Sequence, residues 1–419
     1  MNKRQKKSIA LISVHGDPAI EIGCEEAGGQ NVYVRQVGEA LAQQGWQVDM
    51  FTRASNAKLP KIVDRNRNCR IIRLSAGPEK FIPRQEIFSY RYDFIKALLE
   101  FQERSGKKYS LVHANYWISG WIGLELKKKL SLPMVHTYHS LGAVKYKSVS
   151  TIPTIAKTRL AVEKACLETA NYIVATSPQE KEHMRSLVSK KGDIVIIPCG
   201  TYIDLFGSIN RADARASLGM EPDDRIVLYL GRFDKRKGIE TLVRAVAKSK
   251  WSRDSRLKLI IGGGSTPGRS DGIERKRIEE IVKELGLWSK TQFPGRISDR
   301  ELPFYYAAAD VCVVPSHYEP FGLVAIEAMA SRTPVIASKV GGLQFSIVDG
   351  ETGLLVSPQN EEAFTVALDR ILDDRQLAQQ LGLNGRKRVE NKFSWNEVAS
   401  ELNDLYLQAI EENNVSLAS

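Results

Sequence analysis

Cysteine is scarce in this chain, and the few cysteines are not arranged as in disulfide frameworks or metal-binding motifs. They are odd in number and scattered, and no two of them form a C-x-x-C pair. A disulfide-stapled secreted scaffold and a zinc site are therefore both disfavoured. A reducing compartment, the cytoplasm, is the simplest expected location. The five cysteines are Cys24, Cys69, Cys166, Cys199 and Cys312.

Long apolar runs are missing as well. No stretch approaches the roughly 18 residues that a membrane-spanning helix needs, so we expect no integral membrane segment. Basic residues between Lys3 and Lys7 precede an apolar run at 9–14, an order that imitates a secretory leader. The run is too short for a leader and ends in His15-Gly16-Asp17 without a small-residue cleavage site. It is predicted to be the first strand.

Acidic residues are in short supply only in the first half of the chain. Residues 1–200 carry a net charge of +13 and residues 201–419 a net charge of −2, within a total of +11. No helix-turn-helix, zinc or RRM-like signature accompanies the excess, so nucleic acid is not an expected partner. The run Lys127-Lys128-Lys129 is more typical of a solvated helix face than of a lipid-binding patch, so peripheral membrane contact is not expected either. Solvated surface and an anionic small substrate remain as explanations.

Both halves of the chain repeat one plan, in which short β-branched runs alternate with amphipathic helical segments. The length of 419 residues suits two domains of about 200 residues each. We predict an α/β fold with two Rossmann-like parallel-sheet domains that face a central cleft, over residues 1–200 and 201–392. A last segment, 393–419, has helical spacing from 394 to 410 and is expected to fray after Glu411. The predicted strands are 9–14, 48–51, 111–114, 133–137, 172–175, 194–197, 226–230, 257–261, 292–293, 311–315 and 334–337.

A strand, a loop and a helix in the second half carry two carboxylates. The apolar run at 311–316 is followed by the loop HYEPFGL at 317–323, and Glu327 lies eight residues after Glu319. The loop opens at the carboxyl end of a buried strand, where open α/β sheets bind ligands. First-turn amides near Gly322 and Leu323 suit a phosphate, and the glutamates suit sugar hydroxyls. The alternative interpretation is a capped helix with two solvated acids.

A second loop, GRFDKRKG at 231–238, places Arg232 and Lys237 between two glycines. A strand that ends in glycine lets backbone come close to a ligand, and the two cations could both reach a diphosphate. A basic loop taken alone is usually solvated. Gly263, within a run of three glycines after the strand at 257–261, is by itself only a turn. The glycine turn at 28–29 is not a G-x-G-x-x-G fingerprint, so no nicotinamide cofactor is expected.

The run E-P-F-G-L-x-x-x-E at 319–327, about 90 residues after the 231–238 loop, resembles the donor signature of retaining glycosyltransferases of family 4, which have the GT-B fold. The resemblance covers nearly the whole chain. It implies an acceptor-binding first domain, a nucleotide-sugar-binding second domain, and a last helix that crosses back toward the first domain. It also implies a hexosyltransferase that needs no metal or other cofactor, because an arginine and a lysine neutralise the leaving diphosphate.

The resemblance also implies roles for individual residues. Glu319 would contact the transferred sugar, Glu327 the nucleotide ribose, and Arg232 and Lys237 the diphosphate. His139, in the segment HTYHSLGAVK at 136–145, matches the family's active-site histidine near the anomeric carbon. The remaining donor-binding residues would be Gly28, Gly29, Gly231, Gly263, Arg296, Ile297, Phe321, Gly322 and Leu323.

Five positions match those that bind an acceptor phosphate in two related groups, the sucrose-phosphate synthases and the inositol-phosphate N-acetylglucosaminyltransferases. A phosphorylated acceptor also agrees with the positive charge of the first half. Gln30 and the segment 14–16 are similar to the synthases, whereas Asn31 with 32–34 and the segment 115–117 lean to the other group. The five positions are Lys80, Tyr116, Ser140, Lys145 and Arg159, with Gln30 and Asn31 also near the acceptor.

The resulting expectation is transfer of glucose from a nucleoside diphosphate glucose, with UDP-glucose favoured, to fructose 6-phosphate to give sucrose 6-phosphate. The first alternative is the inositol-phosphate transferase, and the next is a transferase that glycosylates lipids. A catalytically silent nucleotide-sugar sensor is the non-enzyme alternative. A sensor would not need the full set of leaving-group residues, so their presence favours an enzyme.

Overall fold

The computed structural model describes residues 7–20, 28–148 and 152–418, and the chain divides into two compact units. Unit 1 comprises the described residues up to Pro198 together with those from Trp395 onward, and unit 2 comprises 199–394. Cys24 and the basic residues before Lys7 lie outside the described residues. The other cysteines are buried free thiols. Within the described part of the chain, no helix is both long and apolar enough for a bilayer crossing.

Unit 1 contains an eight-stranded sheet covered by helices. Buried apolar residues fill its central strands, as expected when helices pack on both faces of a parallel sheet. The strands are β1 Ser8–Ile12, β2 Gln47–Arg53, β3 Ile62–Asn66, β4 Cys69–Leu74, β5 Leu111–Asn115, β6 Met134–Thr137, β7 Tyr172–Ala175 and β8 Ile194–Ile196. Their order across the sheet is β3-β4-β2-β1-β5-β6-β7-β8, and only the β3–β4 pair is antiparallel.

Helices supply the crossovers that parallel neighbours require. Those of unit 1 before its boundary are α1 Gly29–Gln43, α2 Arg84–Ile87, α3 Arg91–Ser105, α4 Trp117–Leu130, α5 Gly142–Lys145, α6 Ala156–Thr169 and α7 Pro178–Leu187. The ends of β1, β5 and β6 lie side by side in the middle of the sheet. The segments that follow them therefore share one edge, and this edge carries the predicted residues Tyr116 and His139.

Unit 2 repeats the architecture with a fully parallel six-stranded sheet. Its strands are β9 Arg225–Leu230, β10 Leu257–Gly262, β11 Thr291–Gly295, β12 Val311–Val314, β13 Val335–Ser338 and β14 Leu354–Val356, in the order β11-β10-β9-β12-β13-β14. Its helices are α8 Ile203–Gly207, α9 Arg211–Ser217, α10 Ile239–Lys248, α11 Ser270–Glu284, α12 Leu302–Ala308, α13 Leu323–Ala330, α14 Leu343–Ser346, α15 Glu361–Asp373 and α16 Arg375–Lys392. The carboxyl ends of β11, β10, β9 and β12 therefore lie side by side at one edge of the sheet.

The last helix, α17 Trp395–Ala418, belongs to unit 1 and packs against α1. Trp46 donates a hydrogen bond to Asn403 (3.0 Å), and the Tyr406 hydroxyl bonds the buried His113 (2.6 Å). The expected fraying after Glu411 is wrong, because the helix continues to Ala418. A hydrogen bond from the Tyr172 hydroxyl to Glu412 (2.8 Å) fastens this last part.

Every predicted strand is present, with ends within two residues of those expected. The hairpin of β3 and β4 and the short strand β14 were not predicted. β3 is exposed at four of its five residues, so it lacks the apolar signal on which the prediction relied.

Candidate functional site

An ion pair joins two of the three residues of unit 2 that are predicted to be catalytic, Lys237 and Glu319. Lys237 Nζ lies 2.5 Å from Glu319 Oε2, and the Ser316 hydroxyl donates to the same oxygen (3.2 Å). Glu319 lies in the loop between β12 and α13, and Lys237 in a 3-10 turn before α10. The structure therefore brings together two residues that are 82 positions apart in the chain.

Backbone contacts hold these two loops together. The N–H of His317 donates to the carbonyl of Arg236 (2.7 Å). Gly238 has φ of 68°, and a Cβ there would stand 2.0 Å from the carbonyl oxygen of Pro315. Only glycine fits such a position without displacing the backbone. The Arg232–Lys237 loop is thus set against the loop that carries Glu319.

A pair of glycines supports the Glu319 loop from its other side. The N–H of Gly342 donates to the carbonyl of Glu319 (3.1 Å), and a Cβ on Gly341 would stand 2.1 Å from that same oxygen. Gly322, with φ of 92°, is the N-cap of α13. Phe321 is buried with its ring 5.8 Å from that of Phe393. The loop is consequently rigid on both flanks.

Glu327 lies within α13 and is half-buried. The hydroxyl of Tyr306 donates a hydrogen bond to Glu327 Oε2 (2.7 Å). Burial raises the pKa of this carboxyl from 4.5 to about 7, and nearby Asp299 adds to the effect, while the Tyr306 hydrogen bond opposes it. A carboxyl of this kind exchanges its proton near neutral pH, and such perturbed groups cluster at functional sites.

Glycines lie at or directly after the ends of three neighbouring strands of the unit 2 sheet, namely β9, β10 and β11. Gly231 and Gly263 follow the first two, and a Cβ on Gly263 would stand 2.0 Å from the carbonyl oxygen of Gly231. The N–H of Gly263 donates to the carbonyl of Gly295 (2.8 Å). The exposed Arg232 and Arg296 and the half-buried Ile297 follow these glycines. The predicted donor residues of unit 2 therefore share the carboxyl edge of its sheet with Glu319 and α13.

The predicted residues Gly28 and Gly29 belong to unit 1, where Gly28 precedes α1 and Gly29 begins it. Gln30 Nε2 donates to the Ser13 hydroxyl (3.0 Å), and Asn31 Nδ2 donates to the carbonyl of Asp17 (3.0 Å). Gln30 thus lies beside the loop that follows β1, whereas Asn31 is buried and ties the start of α1 to that loop.

His139 lies just beyond the end of β6 with a left-handed backbone, φ of 58°. Its Nε2 is 2.9 Å from the side-chain oxygen of Asn115, and its ring meets the edge of Tyr33 at 4.8 Å. Burial lowers the pKa of the imidazole to about 3, and nearby His136 lowers it further. His139 is accordingly neutral at physiological pH.

Cationic side chains surround His15 and Tyr116 in unit 1. The two rings are 4.5 Å apart, and the guanidinium carbons of Arg159 and Arg84 lie 5.0 Å and 5.6 Å from the Tyr116 ring. His15 Nδ1 is buried and has no hydrogen-bond partner among the described residues. The pKa of His15 lies well below its ordinary value because it is buried, and further because neighbouring basic side chains oppose its protonation. In order of effect these side chains are Arg84, His139, Arg159 and Lys145.

Arg159 is almost fully buried and engaged on three sides. Nε pairs with Glu163 (2.7 Å), one terminal nitrogen donates to the Tyr116 hydroxyl (3.1 Å), and the other donates to the carbonyl of Ser140 (2.6 Å). Glu163 also accepts from the N–H of Gly142 (2.9 Å). Arg159 therefore orders Tyr116 and the segment that carries Ser140 and Lys145. Direct contact with a phosphate stays a prediction.

Lys80 is exposed at the end of a loop that Arg53 supports. The guanidinium of Arg53 donates to the carbonyls of Pro78 and Lys80, each at 2.7 Å. Arg84, Asn115 and Glu163 were not predicted as site residues. Each lies within four residues of a predicted one, but no motif indicates a role for them.

No cluster of His, Cys, Asp and Glu side chains with metal-binding geometry occurs among the described residues. The cationic side chains at the predicted donor site are Lys237, Arg232 and Arg296, all on the carboxyl edge of the unit 2 sheet. Guanidinium and ammonium groups with free helix amides are a donor set suited to phosphate oxygens.

Comparison with known proteins identifies the class to which this fold and site belong. Residues 27–205 match the family model described as Glycosyltransferase Family 4, and residues 210–388 match Glycosyl transferases group 1. The D-inositol 3-phosphate glycosyltransferase of Corynebacterium glutamicum strain R is 35% identical over 416 residues, which cover 97% of this chain and 98% of the relative. The chain belongs to the family 4 glycosyltransferases, and it is an enzyme with the GT-B fold.

Two solved structures are similar to this chain over nearly its whole length. The sucrose-phosphate synthase of Thermosynechococcus elongatus superposes with a TM-score of 0.90 and 51% identity, covering 97% of this chain and 100% of that one. The Anabaena protein HepE, solved in complex with UDP and glucose, matches with a TM-score of 0.76 and 19% identity over 96% of this chain and 100% of HepE. The second similarity concerns the fold alone.

Proposed function

We propose that this enzyme transfers glucose, with retention at the anomeric carbon, from UDP-glucose to fructose 6-phosphate and so makes sucrose 6-phosphate. The observation that carries the proposal is the 51% identity to a sucrose-phosphate synthase across essentially both chains. The cationic surroundings of His15 and Tyr116 support the phosphorylated acceptor, because the positive charges of Arg84, Arg159 and Lys145 act on this position and would attract a phosphate.

The chemistry follows from the charges that develop. The bond between the sugar's anomeric carbon and the diphosphate oxygen breaks, and a bond to the acceptor hydroxyl oxygen forms on the same face. The acceptor proton passes to the departing phosphate. Lys237, Arg232 and the first amides of α13 stabilise the negative charge that grows on the leaving group. Loss of one such donor is expected to cost about 100- to 1,000-fold in turnover.

In this proposal Glu319 has two consecutive partners. Without substrate it neutralises Lys237, as the 2.5 Å ion pair shows. When the diphosphate attracts Lys237, the carboxylate becomes free to accept hydrogen bonds from the hydroxyls of the transferred sugar. Glu327, one turn into α13, has the corresponding role toward the ribose hydroxyls.

A second candidate acceptor is an inositol phosphate. The curated relatives with 31–35% identity are named D-inositol 3-phosphate glycosyltransferases, and they cover 95–98% of this chain. Both candidates need the same phosphate-binding residues and differ only in the sugar or polyol that carries the phosphate.

Release of the nucleoside diphosphate distinguishes the candidates. We would incubate the enzyme with UDP-glucose and fructose 6-phosphate, fructose, D-inositol 3-phosphate or no acceptor, and repeat the series with UDP-N-acetylglucosamine. Release from UDP-glucose that only fructose 6-phosphate stimulates is the expected result. Stimulation by D-inositol 3-phosphate with UDP-N-acetylglucosamine instead would replace the acceptor and the sugar while keeping the phosphate site.

The phosphate site has its own test in Lys80→Ala. Lys80 is exposed, so its removal leaves the fold intact, and we expect the KM for fructose 6-phosphate to rise about tenfold, since one charge-assisted hydrogen bond is worth roughly 1.4 kcal/mol or more. The KM for unphosphorylated fructose should change far less. Lys58→Ala is the matched control, because Lys58 is also an exposed lysine of the same unit. Equal changes for both acceptors would contradict the assignment of Lys80.

A further inference from the structure

We infer that Asn115 is a positioning residue that holds the His139 ring in one tautomer, with hydrogen on Nε2 and the lone pair on Nδ1. The inference deepens the proposed function and rests on it, because it concerns the histidine assigned to the sugar-transfer site. It assigns the kind of ligand group that the ring receives, which is a hydroxyl and not a phosphate.

The direction of one hydrogen bond sets the tautomer. His139 Nε2 lies 2.9 Å from Asn115 Oδ1, and an amide oxygen can only accept. Nε2 therefore carries the hydrogen. The orientation of the amide is supported independently, since its nitrogen lies 3.4 Å from the carbonyl of His113 and can only donate to it.

The anchor of this hydrogen bond is rigid. Asn115 is the last residue of β5 and is 1% exposed, and its backbone is paired with Thr137 of β6. His139, by contrast, lies beyond β6 in a strained, left-handed backbone conformation. A strained residue keeps one conformation only if its surroundings hold it. The bond to Asn115 and the edge contact with Tyr33 do so.

The opposite ring nitrogen is the functional one. Nδ1 has no hydrogen-bond partner among the described residues, and in this tautomer it is a pure acceptor. An acceptor nitrogen repels phosphate oxygens and attracts hydroxyl hydrogens, so it matches a sugar hydroxyl. The depressed pKa of His139, about 3 because of burial, keeps the ring neutral and thus preserves this acceptor through the neutral pH range.

Nitrogen NMR of histidine reads the tautomer without any substrate. The chain has six histidines, so protein labelled with ¹⁵N only in histidine gives few ring signals, and those of His139 are identified by their loss in His139→Gln. We expect one tautomer in the unaltered enzyme, with hydrogen on Nε2. Asn115→Leu should convert His139 to a mixture of tautomers and reduce turnover about 10- to 100-fold by loss of orientation.

Asn115→Asp separates positioning from mere support of the fold. The carboxylate still accepts from Nε2, so the tautomer stays, while its negative charge raises the pKa of His139 in an NMR titration. Asn171→Ala is the matched control, because Asn171 also bonds β6, through the N–H of Met134 (3.0 Å), but at the other end of the strand. It should leave the His139 signals unchanged.

Three results would overturn the inference. They are hydrogen on Nδ1 of His139 in the unaltered enzyme, an unchanged single tautomer and turnover in Asn115→Leu, and an unchanged His139 pKa in Asn115→Asp. If the acceptor proves to be another phosphorylated compound, the proposed function fails while the NMR outcome stands, because the resting enzyme alone determines it. If Asn115→Leu does not fold, the unaltered enzyme and Asn115→Asp still decide the question.

Discussion

At the scale of single residues, the burial of the Glu327 carboxyl should have a measurable effect on the free energy of unfolding. Burial raises its pKa to about 7, so between pH 4.5 and 7 the folded protein binds more protons than the unfolded chain. The free energy of unfolding therefore falls as pH rises through that window, by on the order of 3 kcal/mol.

Glu327→Gln should remove this dependence, because the amide is neutral and can still accept from Tyr306. We expect its melting temperature to match that of the unaltered enzyme near pH 4 and to exceed it by several degrees above pH 7. Thermal unfolding at pH 4 to 8 measures the difference. A gap that does not vary with pH would mean that the pKa of this carboxyl is the same in the folded and unfolded states.

Single residues also show what sequence motifs do not predict. Lys237 and Glu319 were both predicted from their loops, and the structure joins them. Arg159 was predicted from its place in the sequence, but its buried partner Glu163 was not, because a single acid on a helix has no pattern that indicates burial. Because of this pairing, Arg159 is a poor position for a test substitution. Its removal would leave the Glu163 carboxylate buried without its partner and lower the free energy of unfolding by about 3–5 kcal/mol. Exposed Lys80 is therefore the better probe.

At the scale of elements, the packing of glycines positions the Glu319 loop. Gly341 and Gly350 both have positive φ, 45° and 76°, but only a Cβ on Gly341 would collide with another backbone atom, the carbonyl oxygen of Glu319. We expect Gly341→Ala to reduce turnover at least about tenfold by displacing that loop, as small misplacements near the chemistry do. Gly350→Ala should carry backbone strain alone. Steady-state kinetics of both variants, with melting temperatures, separate the effects, and equal turnover in the two would contradict the steric argument.

Elements differ in how well a sequence indicates them. The central strands are short apolar runs rich in β-branched residues, a strong signal, and each was predicted. The β3–β4 hairpin was missed because β3 is exposed and charged, and its pairing with β4 outweighs its weak local signal. The helical structure of α17 beyond Glu411 was not predicted. The hydrogen bond from Tyr172 that stabilises it comes from a residue remote in the sequence, and helical periodicity does not indicate such a contact.

At the scale of the whole molecule, charge is divided between the halves of the chain. The net +13 of residues 1–200 coincides with the half that holds Arg84, Lys145 and Arg159, so the long-range field should attract an anionic acceptor. Exposed charges act over a Debye length of about 10 Å at 0.1 M salt and about 3 Å at 1 M. Steering by this field should therefore weaken as salt increases.

We expect kcat/KM for fructose 6-phosphate to fall severalfold between low salt and 0.5 M sodium chloride, roughly as surface electrostatics decline with screening. Fructose is the matched acceptor, because it shares every group except the phosphate, and the same donor and enzyme respond equally to salt in both reactions. The ratio of the two kcat/KM values thus isolates the acceptor phosphate. A ratio that does not change with salt would show that residues 1–200 attract the acceptor phosphate only through close contacts. Their other charged side chains would then be ordinary solvated surface.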